Sequence, residues 1–128
     1  MAFLKTFWLF FVNVIWSPCL QDIYKVHQVI DLKRCEDEGV FLEGTGSIVF
    51  DHLYQKAYAC LSSRTNENLL RKVSKHLDYE PVIFKAYDID NKAIYHTNVM
   101  MWIGTTVAAI CADAITDPKS KVRIMIPF

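Results

Sequence analysis

Ser47-Ile48-Val49-Phe50-Asp51, then His52-Leu53-Tyr54-Gln55, then Lys56-Ala57-Tyr58-Ala59-Cys60-Leu61, then Thr65-Asn66-Glu67 running on to Leu77: this stretch decides the fold. The first and third blocks are rich in β-branched and aromatic residues and predict two strands. The polar block between them predicts a hairpin turn. Past Leu61 the period changes. Leu69, Leu70, Val73 and Leu77 recur at helical spacing and form one apolar face. Thr65 is expected as the N-cap, and Glu67 complements the helix dipole in the first turn. Lys72, Lys75 and His76 load the carboxyl end, and Pro81 blocks continuation.

Working outward, Val82 to Tyr87 is expected as a third strand. Asp88-Ile89-Asp90-Asn91-Lys92 reads as a hairpin turn, because a calcium loop would need a glycine and a distal glutamate that are missing here. A strand at Ala93 to Thr97 and apolar runs at Val99 to Ile103 and Thr106 to Cys111 follow. Asp117-Pro118 is placed to open a last helix. Upstream, Gln28 to Leu32 reads as a short strand and Lys33 to Gly39 as a polar connection. The order from Ser47 is strand, strand, helix, strand. This ββαβ unit is followed by the start of another, so the fold class is α/β. Such a unit cannot cover its own apolar surface and is expected to be one layer of something larger.

Residues 1–27 stand apart from the domain expected over 28–128. Phe7 to Trp16 is almost continuously apolar, with Lys5 before it. The run is too short for a bilayer-spanning helix, which needs roughly 20 apolar residues. It also lacks the small residues of a cleavage site. A core strand and a signal-like or interfacial segment both remain open.

Apolar residues make up 52% of the 128-residue chain and charged residues 22%, enough to bury a core. Lys+Arg and Asp+Glu are both 14, so no nucleic-acid partner is expected. A membrane partner is not expected either, and the location is expected to be cytoplasmic. Cys19, Cys35, Cys60 and Cys111 contain no CxxC pair, which argues against a zinc or redox motif. Cys60 and Cys111 lie in apolar runs and are expected as buried reduced thiols. No metal and no cofactor is expected.

Three short segments carry the chemistry. Phe41-Leu42-Glu43-Gly44-Thr45-Gly46-Ser47 supplies a carboxylate beside glycines, and a carboxylate accepts two N–H donors side by side. The alternative is a solvated turn glutamate. Gly-x-Gly here is too short for a dinucleotide fingerprint. Tyr95-His96-Thr97-Asn98 supplies an imidazole suited to proton transfer, with a satisfied edge histidine as the alternative. Arg64, in Ser62-Ser63-Arg64-Thr65-Asn66, is either an anion clamp or a surface residue. His27, His52 and His76 look structural.

Taken in order, these segments resemble the guanidino-group-modifying superfamily of amidinotransferases and arginine deiminases. They look closest to its citrulline-utilisation hydrolase branch, with dimethylargininases as relatives. The resemblance covers roughly residues 28 to 112. It implies a pentein-like α/β propeller, of which about two of the five ββαβ blades would be present. It also implies hydrolysis of linear C–N bonds in arginine-derived amino acids through a cysteine thiolate and a covalent intermediate. By motif match His96 would be the general acid/base and Glu43 the carboxylate that holds substrate nitrogens. Arg64 would pair with the substrate α-carboxylate, and Asn98 would be a further substrate contact. Asn98 and Gly46 stand where arginine deiminase-type relatives carry aspartates. Fewer anions suit a neutral ureido group, so a citrulline-like substrate is expected.

The nucleophilic cysteine of the family follows the histidine motif at a distance, and Cys111 does not match its motif. The expectation is therefore a truncated form without the nucleophile, inactive alone. The alternative is a non-catalytic ligand-binding or interaction remnant, and self-association through exposed blade edges is an expected partner mode.

Overall fold

The computed structural model describes residues 30–125. The apolar run at Phe7 to Trp16, Cys19, His27 and the first half of the strand expected at Gln28 to Leu32 lie outside the described residues. The remainder of that strand, Ile30 to Leu32, is not extended in any sheet. In its place the polar stretch that follows forms helix α1, Lys33–Asp37. Leu32, Cys35 and Val40 turn its inner side onto the core, which is why a stretch read as a connection coils. Gly39 at φ +73° ends it in the left-handed region.

Next comes a single helical turn, α2, Gly44–Ser47. Strands β1 (Val49–Asp51) and β2 (Lys56–Cys60) form the expected antiparallel hairpin, with Val49 opposite Tyr58. Its turn is fastened by the buried Asp51, whose Oδ1 accepts the amides of Leu53 and Tyr54 at 3.0 Å each. Helix α3, Glu67–His76, crosses over to β3, Glu80–Phe84, which lies parallel to β2. The sheet order is β1-β2-β3, so the ββαβ unit read from sequence is present. Pro81 sits within β3 rather than before it, and an edge strand tolerates its missing N–H.

β2 is central, and Ala57 through Cys60 are fully buried. Its side chains alternate between faces. Ala57 and Ala59 pack with Leu69, Leu70 and Val73 of α3. Tyr58 and Cys60 face a second cluster with Val82, Phe84, Met100, Met101, Ile115 and Ile124. Strands β4 (Met101–Ile103) and β5 (Ala108–Ile110) pair antiparallel in a second, two-stranded sheet, and helix α4 (Pro118–Met125) closes this side. The helix expected after Asp117 is thus formed. Asp117 caps it by accepting from the Ser120 amide and hydroxyl.

Two further expectations are corrected. The N-cap of α3 is Asn66, whose Oδ1 accepts the Leu69 amide at 3.1 Å; the Thr65 hydroxyl points inward to Ser47 instead. The segment Ala93 to Thr97 is not a strand. Ala93 makes one bridge to Tyr87, and the chain then enters a 3₁₀ turn at Thr97–Val99. The side chain of Thr97, not a ladder, ties this segment to β2. The turn at Asp88 to Lys92 forms as expected, with Asp88 Oδ1 accepting the amides of Asp90 and Lys92. Among the described residues no helix is long and apolar enough to cross a membrane.

Candidate functional site

Antiparallel pairing puts the start of β1 beside the end of β2. The turn that precedes β1 carries Glu43, and the loop that follows β2 carries Arg64. The Glu43 amide reaches the Arg64 carbonyl at 3.3 Å, and Leu42 bridges to Thr65. The same end receives a third segment. The Ser62 hydroxyl donates to the Tyr95 carbonyl at 2.7 Å, and the Cys60 amide donates to Thr97 Oγ1 at 2.8 Å. Residues from three separated parts of the chain are therefore gathered at one strand end.

Glu43 is the hub. Its Oε2 lies 2.5 Å from His96 Nε2, and its Oε1 is paired with the Arg64 guanidinium. The Arg64 hydrogen bond holds the Glu43 carboxyl below its usual range; partial burial opposes this, and the His96 contact adds to the lowering. Glu43 in turn holds the Arg64 guanidinium further in its charged form. The Glu43 and His96 side chains are about one quarter exposed, at 26% and 25%, so the pair remains in contact with solvent. Gly46 lies under the imidazole: a Cβ there would stand 3.1 Å from three ring carbons. A side chain at this position would press on the ring, so glycine lets the backbone come close. Tyr95 packs against the ring from its own side, with centroids 4.7 Å apart.

Three of the four residues named from sequence thus meet. Asn98 does not join them. It is exposed on the 3₁₀ turn and makes no side-chain hydrogen bond among the described residues. His52 and His76 are structural as expected: His52 Nδ1 pairs with the Tyr79 hydroxyl at 2.7 Å, and His76 closes α3 against the Lys72 carbonyl. The cysteines divide. Cys60 is buried, and burial raises its thiol pKa, which leaves it a poor nucleophile. Cys111 is exposed, contrary to the buried thiol expected from its apolar run, because β5 ends at Ile110. No cysteine hydrogen-bonds to Glu43, Arg64 or His96 among the described residues.

Ser47 and Thr97 were not singled out from sequence, and Thr65 only as a helix cap, yet each is buried at this site. The available signal was position: each is a hydroxyl residue at the border of an apolar run, within segments already marked for chemistry.

An α/β scaffold with a carboxylate shared between an imidazole and a guanidinium is the make-up expected of a guanidino-modifying protein. Residues 17–126 match a family model described as N,N dimethylarginine dimethylhydrolase, eukaryotic. The chain belongs to the dimethylarginine dimethylhydrolase family, a guanidino-modifying family of the pentein superfamily. No curated protein and no solved structure matches it.

Proposed function

We propose that this chain carries the carboxylate and acid/base part of a hydrolase site for arginine-derived amino acids, and that its ββαβ unit is one blade of a pentein propeller, about two of the five being present. The observation that carries the reading is the Glu43–His96 pair at 2.5 Å beside Arg64. In this role Glu43 accepts the N–H groups of the substrate's planar head. A thiolate attacks the head carbon, the C–N bond breaks as His96 protonates the departing nitrogen, and His96 then takes a proton from the water that releases the intermediate. Arg64, exposed and long, turns from Glu43 to the substrate α-carboxylate, and Asn98 supplies a further contact. No described cysteine bonds to Glu43, Arg64 or His96, so the thiolate is expected from outside the described residues.

Charge favours a neutral ureido head, as in citrulline. Glu43 is the only carboxylate bonded to His96 or Arg64 among the described residues. With Asn98 and Gly46 standing where arginine deiminase-type relatives carry aspartates, the head meets fewer anions, which suits a neutral group. The family match favours the second reading, a methylated arginine as in the family's description. Beyond substrate, the partner expected is a second copy of this chain, through the edges of its short sheets, with Trp102 and Val107 exposed.

Calorimetry on the 128-residue chain with citrulline, arginine and N,N-dimethylarginine tests the reading. Citrulline should bind best, and Glu43→Gln should weaken it by about tenfold or more. Arginine or dimethylarginine bound about tenfold tighter than citrulline would overturn the ureido assignment. Release of ammonia, or of dimethylamine from N,N-dimethylarginine, would place the thiolate within these 128 residues. Binding of none of the three would leave an interaction remnant of the fold.

A further inference from the structure

Resting on that reading of the site, we infer that Ser47 and Thr97 are positioning residues, which set the mutual placement of Glu43, Arg64 and His96 through a chain of buried hydroxyls. A serine hydroxyl has one donor and two acceptor positions. Ser47 uses all three. Its Oγ accepts the Glu43 amide at 2.9 Å and the Thr65 hydroxyl at 2.8 Å, and it donates to the Arg64 carbonyl at 2.8 Å. The Ser47 carbonyl accepts the Thr97 hydroxyl at 2.6 Å, and Thr97 Oγ1 accepts the Cys60 amide at 2.8 Å. One connected path therefore runs from the backbone of Glu43 to that of Arg64, and through Thr97 to the peptide next to His96.

Ser47, Thr65 and Thr97 are each at most 1% exposed, so water cannot replace a lost partner without opening the strand end. The three functional side chains, by contrast, are partly or largely exposed and hold one another only through Glu43. Their own ion pairs cannot fix their backbones. The buried hydroxyls can, and a displacement on the order of 1 Å is enough to impair a site of this kind.

The test is made on the full chain with Ser47→Ala, Thr97→Val and Thr97→Ser. The primary readout is the His96 Nε2–H proton resonance, which reports the imidazole–carboxylate contact and which a general loss of stability would not shift in a folded protein. Citrulline affinity is the second readout, and cooperative melting confirms folding. Ser47→Ala and Thr97→Val should move or broaden the resonance and weaken citrulline by about tenfold. Thr97→Ser, which keeps the hydroxyl, should preserve both. Ser47→Cys keeps the volume with a poorer hydrogen-bonding group and gives the same reading should Ser47→Ala not fold.

An unchanged resonance and affinity in Ser47→Ala and Thr97→Val overturns the inference. So does a loss in Thr97→Ser equal to that in Thr97→Val, because serine keeps the hydroxyl and the hydroxyl would then not carry the effect. A wild type that binds no citrulline sinks the substrate reading alone, because the resonance still reports the positioning.

Discussion

On the α3 face of the sheet, Leu69, Leu70 and Val73 press on Ala57 and Ala59; at the end of the same strands, three buried hydroxyls bond to the backbone of the segments that carry a carboxylate, an imidazole and a guanidinium. The first region is apolar and non-directional. Many atoms share each contact, and the two alanines leave room for the helix to come close. The second depends on single hydrogen bonds, each with one donor and one acceptor. The contrast separates two kinds of sensitivity. Damage to the α3 face should appear in stability and spare the site, whereas damage at the strand end should appear first in binding.

The largest expected effect is on the apolar side. Leu70 is fully buried, and Leu70→Ala should cost about 3 kcal/mol in chemical denaturation. The His96 Nε2–H resonance of the fraction that remains folded should be unchanged. A shift in that resonance would break the division between the two regions. Asn66 stands at their border, and Asn66→Ala should cost about 1 kcal/mol through loss of the cap. Thr65→Ala should leave the helix cap intact and disturb Ser47 instead.

The smallest effect is pH-dependent. The carboxyl of Glu43 is held below its ordinary 4.5 chiefly by Arg64, so the unfolded chain binds its proton more readily than the folded one. The Glu43 contribution is then present above the ordinary value and is lost as pH falls through the lowered one. In acid unfolding, Glu43→Gln should flatten the stability slope below about pH 4.5 and leave the slope near neutrality alone. An unaltered acid slope would mean that the Arg64 pair contributes nothing in solution.

This contrast also explains what could be read from sequence. Apolar periodicity records which face a residue buries, so Leu69, Leu70, Val73 and the β1–β2 hairpin were legible. Pro81 misled slightly, because its strand turned out to be an edge. The site residues Glu43, Arg64 and His96 were legible as motifs, yet no local pattern tells that they meet. Their meeting follows from strand pairing, which joins the start of β1 to the end of β2. Hydroxyls were harder still. Thr65 looks like a cap beside Asn66, and Thr97 looks like a strand residue after Ile94. In each case a long-range hydrogen bond to Ser47 overrides the local preference. The helix at Lys33–Asp37 was hidden because its apolar contacts come from Leu32, Cys35 and Val40, too few for a visible period.

The central claim is that Glu43, shared by His96 and Arg64, is the group that grips the planar head of an arginine-derived amino acid. Titration of the chain with citrulline, followed at the His96 Nε2–H and Arg64 Nε–H resonances, tests it most directly. The account predicts that both resonances move along one saturating curve in the wild type, and that Glu43→Gln shifts the curve to about tenfold or more higher citrulline while the fold persists. Saturable binding with the same affinity in Glu43→Gln, or binding that leaves both resonances in place, would contradict it.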